Sequence, residues 1–143
     1  RLMSTEGSGM ARPHKKAGAA MSVQTKLAGN QLQTICHDAA EASKKVGSKV
    51  SVTGQTPDRM TFAVSSTLGG TQNSFAVNIL DRGDMRGMSS EILQYRTSQQ
   101  SVMFVPVTPK SLQGLSLYMS FLERVVAAVK QADPQAETSV RDR

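Results

Sequence analysis

Apolar residues recur along this chain with two different periods. Ala28, Leu32, Ile35, Ala39, Ala42 and Val46 follow one another at steps of four and three, which lays a shallow stripe along a helix. The spacing predicts a helix over 31–45, with an extension back to Val23 as an alternative. Asn30 is the expected N-cap, with Gln33 three residues on as a weak capping box. Lys44 and Lys45 then fall in the last turn, where the helix dipole favours cations, and Gly47 ends the helix.

Beyond Gly47 the period becomes two. Val50 and Val52 alternate with polar residues, as do Met60, Phe62 and Val64, and then Phe75, Val77 and Ile79. Turns are expected at Thr56-Pro57-Asp58, at Gly69-Gly70 and at Asp81-Arg82-Gly83-Asp84. Close turn spacing without a helical pattern between the turns indicates antiparallel hairpins. Residues 89–97 read as a fourth strand, with helix as the alternative, and Val102 to Val105 as a short fifth strand ended by Pro106.

The helical period then returns. Thr108 is expected to cap, Pro109 to take the first helical position, and Leu115, Tyr118, Leu122, Val125 and Val129 to form the buried stripe, with Asp133-Pro134 as the stop. The order helix, four or five antiparallel strands, helix predicts an α+β two-layer sandwich with both helices on one sheet face. The other sheet face, lined by short polar side chains, is expected to stay open.

Length and composition narrow this picture. A chain of 143 residues fits one domain, and 38% hydrophobic with 20% charged residues is a globular balance. Residues 1–22 are rich in Gly, Ser, Ala and Lys with no apolar period, so they are expected as a disordered basic tail ahead of a single domain at 23–134. Met3, Met10 and Met21 are each candidate starts, and residues 135–143 are expected to fray. The net charge of +6 is concentrated early, where residues 1–26 hold five basic side chains against one acidic. The single cysteine, Cys36, excludes an internal disulfide and fits a reducing, cytoplasmic setting. No apolar run is long enough to span a bilayer, so no membrane insertion is expected.

Residues 95–134 resemble small uncharacterised actinobacterial proteins through a Phe-x-Pro-x-x-Pro-Lys segment, here Phe104, Pro106, Pro109 and Lys110, that leads into an amphipathic helix. The resemblance implies a compact bacterial domain and carries no activity with it.

Candidate chemistry is sparse. Cys36-His37-Asp38 reads like a catalytic triad in a line, but helix neighbours point about 100° apart and do not face one another. Arg82-Gly83-Asp84 matches an adhesion tripeptide and equally suits a turn, and Gly69-Gly70 lacks the Gly-Lys-Ser of a phosphate loop. Two histidines, His14 and His37, and one cysteine are too few for a zinc site, so no catalytic, cofactor or metal residue is assigned. Arg12, Lys15 and Lys16 are candidate contacts for nucleic-acid phosphates or other anions. Thr61, Ser65, Ser74 and Asn78 are candidate contacts on the open sheet face. These features favour a non-enzymatic binding module that meets a protein partner or a second copy of itself. The alternatives are a nucleic-acid-associated protein gripping through its tail, and a carrier holding a small apolar ligand between helices and sheet.

Overall fold

Among the described residues a strand comes first. The computed structural model describes residues 15–67, 69–98, 101–102, 105–106 and 111–143. Within them β1 (Ala20–Thr25) precedes helix α1 (Gly29–Ala42), and the Lys44–Lys45 strand β2 follows directly. Four long strands come next: β3 (Ser48–Thr56), β4 (Arg59–Ser66), β5 (Gly70–Asp81) and β6 (Arg86–Tyr95). Two short ladders pair β7 (Thr97–Ser98) with β10 (Ser111–Leu112), and β8 (Ser101–Val102) with β9 (Val105–Pro106). Helix α2 (Leu115–Ala132) and strand β11 (Glu137–Arg141) complete the order.

The seven-stranded sheet runs β11-β1-β6-β5-β4-β3-β2, with every neighbouring pair antiparallel, and it curls into a half-barrel. This overturns the expected two-layer sandwich of four or five strands between two helices. Two of the extra strands lie outside the helices in sequence. β1 sits in the sheet between β6 and β11, with Met21, Val23 and Thr25 buried and Ser22 exposed. Its alternation spans only six residues beside an Ala/Gly-rich stretch, which is why composition hides it. β11 is polar and almost wholly exposed, so backbone pairing to β1 holds it and hydropathy gives no sign of it.

The third correction concerns the end of α1. The helix stops at Ala42, and the Ser43 N–H bonds the Ala39 and Ala40 carbonyls at 2.9 and 3.2 Å. Lys44 and Lys45 are therefore strand residues, and Gly47 (φ 80°) serves a hairpin turn instead of ending the helix. The start also shifts. Ala28 takes the N-cap position, and its N–H donates to Gln31 Oε1 at 2.9 Å, so Asn30 already lies inside the helix. Residues 89–97 fall mostly in β6, as strand. Val102 and Val105 sit in separate paired strands; Met103 and Phe104 lie outside the described residues, as do the expected cap Thr108 and Pro109.

One core serves the sheet and both helices. Phe62 and Phe75 stack at 5.0 Å between ring centroids, and Phe121 of α2 meets them at 4.9 and 5.0 Å. Tyr118 completes the group edge-on to Phe75 at 4.7 Å. Such pairs add about 0.5–1.5 kcal/mol each beyond the area they bury. On α2 the expected stripe residues Tyr118, Leu122, Val125 and Val129 are buried, Leu117 and Phe121 widen the buried face, and Leu115 is only partly buried. From α1, Leu32, Cys36, Ala39 and Ala40 join the same core.

One chain of buried polar groups crosses three elements. Tyr118 Oη donates to the Ala19 carbonyl at 2.7 Å and meets Ser90 Oγ at 2.9 Å, while the Met21 N–H donates to that Ser90 oxygen at 3.0 Å. With Tyr118 donating to Ala19, Ser90 is left as the donor to Tyr118, so each hydroxyl gives and accepts. This chain ties α2, β6 and β1 together.

Candidate functional site

Alternation along β4 and β5 turns Met60, Phe62, Val64, Phe75 and Val77 inward and sends the residues between them to the outer face. Thr61, Ser65, Ser74 and Asn78 accordingly lie on that outer face, each half-buried. The structure does not gather them into one cluster. Thr61 accepts from the Thr53 hydroxyl at 3.0 Å, and Ser74 stands between Ala63 and Gln94. Asn78 is the centre of a three-strand chain: it accepts from Arg59 Nη1 and donates to Glu91 Oε2, both at 2.9 Å.

The other sequence candidates separate. Arg12 and His14 lie outside the described residues; Lys15 is exposed in a turn, and Lys16 pairs with Asp142 at 3.6 Å. Cys36 is fully buried against Met88, sulfur to sulfur at 3.8 Å, and burial pushes its thiol up to about 12. His37 is exposed and faces Glu41 at 3.6 Å one turn on, so Cys36-His37-Asp38 forms no working constellation. Arg82-Gly83-Asp84 occupies the β5–β6 turn, closed by the Arg82 N–H on the Met85 carbonyl at 2.8 Å. Gly70 opens a strand and not a helix, as a hairpin turn requires. Among the described residues no group of three metal-ligating side chains comes together. The space a carrier would use between helices and sheet is occupied by the four aromatic rings of the core.

A different cluster stands out at one end of the sheet. Lys44 and Lys45 turn through Val46-Gly47 into Ser48 and Lys49, making a hairpin in which Lys44 lies opposite Lys49. The Gly47 carbonyl accepts from the Thr67 N–H at 2.8 Å, which fixes the hairpin tip to the end of β4. Lys49 lies opposite Ser65, and Ser48 opposite Ser66, so a cross-strand row runs Lys44, Lys49, Ser65. Together these residues line a groove of about 340 Å³ that holds three lysines, four hydroxyls and no acidic side chain. Ser65 is the one sequence candidate that joins it.

Like charges placed directly opposite on neighbouring strands repel. Lys44 and Lys49 carry that repulsion with no ion pair among the described residues. Lys45 is held by donating from Nζ to Ser116 Oγ at 2.8 Å, and Arg96 adds a fourth cation at this end by bonding the Gly69 carbonyl. At the tip, Val46 is fully exposed. The hairpin thus presents one bare aliphatic side chain between lysines.

Comparison with protein-family models and with curated proteins finds no match. The site therefore rests on its own geometry. A second depression of about 480 Å³ lies on the outer face beside Arg59, Asn78 and Arg82. There Arg59 is bonded through Asn78 toward Glu91, and Asp58 lines the same space, so an acidic side chain offsets part of the charge of Arg59 and Arg82. The lysine groove has no such compensation.

Sequence reasoning missed this site by assigning Lys44 and Lys45 to a helix end. A Gly after a helical stripe marks a helix terminator or a hairpin turn equally well. The discriminating sign is the apolar-polar alternation that begins shortly after the glycine, at Val50, Ser51 and Val52.

Proposed function

We propose that this protein is a non-enzymatic binding module that docks on anionic, phosphate-bearing surfaces, a membrane leaflet in the first place, through the Lys44–Lys49 hairpin. The observation that carries this reading is the fully exposed Val46 at the tip of a hairpin with three unneutralised lysines. Lysines near an anionic leaflet contribute about 1 kcal/mol each. Burying a valine side chain at the interface adds about 1.5 kcal/mol. The sum is the strength of a reversible peripheral contact, well short of an anchor. No described helix is long and apolar enough to cross a membrane, so the contact is a surface one. The cytoplasmic leaflet, which carries the anionic lipid, suits a chain whose single cysteine is buried as a free thiol.

Co-sedimentation with phosphatidylcholine vesicles, with and without phosphatidylserine, tests the proposal. Binding should need phosphatidylserine, weaken as salt rises and fall sharply in a Lys44→Gln/Lys45→Gln/Lys49→Gln variant. Equal binding to both vesicle types, or none to either, contradicts it. A salt-sensitive DNA mobility shift lost in the same variant, without vesicle binding, would reassign the groove to nucleic-acid phosphates.

A further inference from the structure

The sheet has two edges, and they differ. At one edge the lysine hairpin belongs to the site described above. The other edge is β11, whose inner side pairs with β1 and whose outer side faces no described strand. Its sequence is Glu137-Thr138-Ser139-Val140-Arg141, and all of it is exposed except the half-buried Thr138. An edge of this length offers a row of free N–H and C=O groups to any chain that can pair with it.

We infer that β11 is a self-pairing edge, and that a second copy of this chain adds to it antiparallel about a twofold axis at Ser139. The charge order of the strand singles out this occupant. In that register Glu137 lies opposite the partner's Arg141 at one end, Arg141 opposite the partner's Glu137 at the other, and Ser139 meets its own copy. A one-residue slip breaks both ion pairs and moves every side chain to the other face. Glu137 makes no ion pair among the described residues, and Arg141 uses only Nε, on the Gly18 carbonyl at 2.8 Å. Glu137, Ser139 and Arg141 share the outer face with Ser22, so the paired charges stay solvated. Val140 lies opposite Met21 on the inner side and is one of the few large apolar side chains left exposed; the second strand covers it. The two copies form one continuous sheet, and each lysine hairpin, at the opposite edge, stays free.

Sedimentation equilibrium of the full chain over a wide concentration range tests the inference. The wild type should self-associate, and Glu137→Arg and Arg141→Glu should each weaken that association roughly tenfold, since each turns two attractive cross-strand pairs into repulsive ones. An equimolar mixture of the two variants should restore the dimer as a heterodimer, because every cross-strand pair is then opposite in sign. Circular dichroism checks that each variant keeps its fold. A chain that stays monomeric throughout, a dimer that neither variant weakens, or a mixture no better than its components overturns the inference.

Discussion

Replacing Tyr118 with Phe keeps the ring, and its edge-on contact with Phe75 at 4.7 Å, but removes the hydroxyl that links α2 to β1 and β6. The Ala19 carbonyl and the Ser90 hydroxyl each lose a partner, and both residues are buried. A buried group left unsatisfied costs about 1–3 kcal/mol, so with some relaxation the variant should lose about 2–4 kcal/mol. Urea unfolding should report a lower midpoint with an unchanged slope, because the surface exposed on unfolding is the same. Alkaline pH adds a second signature. Burial holds the Tyr118 hydroxyl neutral in the fold and pushes it up to about 12, against an ordinary value of 10.0. Between these values the unfolded chain gives up the proton and the folded chain keeps it, so wild-type stability falls as pH rises through this window. The loss is about 1 kcal/mol per pH unit at most, and it should be missing from the stability curve of Tyr118→Phe. A variant within about 0.5 kcal/mol of wild type, with the same alkaline slope, would refute a structural role for the Tyr118–Ser90–Met21 chain.

Other outcomes follow from single residues. The Cys36 thiol, fully buried and raised to about 12, should resist thiol reagents at neutral pH and react promptly once urea unfolds the chain; fast labelling of the native protein would show that α1 does not seat it against the core. Asp133 accepts from the Thr25 hydroxyl at 2.7 Å and the Lys26 N–H at 3.1 Å, which holds its carboxyl below the usual 3.8. That stabilisation is present above the unfolded value and is lost as pH falls through the lower folded one, so Asp133→Asn should flatten the acid limb of a thermal-stability profile. Gly114 caps α2 with φ at 77°, and a side chain there would lie 2.6 Å from Asn73 Nδ2 and 2.9 Å from Val64 Cγ1. Gly114→Ala should therefore cost at least about 1 kcal/mol in urea unfolding, and a neutral result would mean that the α2 entry turn is not rigid.

The parts of the fold visible in the sequence are those where burial imposes a period. Met60, Phe62 and Val64, and Phe75, Val77 and Ile79, alternate because one side of β4 and β5 meets the core, and the Pro57 and Gly83 turns punctuate them. The Asp133-Pro134 stop ended α2 where it was expected to. Strands held chiefly by backbone pairing stayed hidden. β11 has one apolar side chain and β2 none, so neither leaves a hydrophobic trace. β1 has the alternation, yet its first residue Ala20, with Ala19 just before it, blends into the preceding Gly/Ala stretch. The site was only partly legible for a related reason. The alternation along β4 places Ser65 on the outer face, but the lysines matter because the hairpin sets Lys44 against Lys49, and that pairing is a product of the fold.

The chain contains no tryptophan, so Val46→Trp places a single reporter at the hairpin tip. Titrating this variant with phosphatidylserine-containing vesicles at low salt should shift the emission to the blue, while phosphatidylcholine vesicles leave it unchanged, and raised salt should reverse the shift. An emission maximum that stays that of a water-exposed indole with both vesicle types would contradict docking through the lysine hairpin.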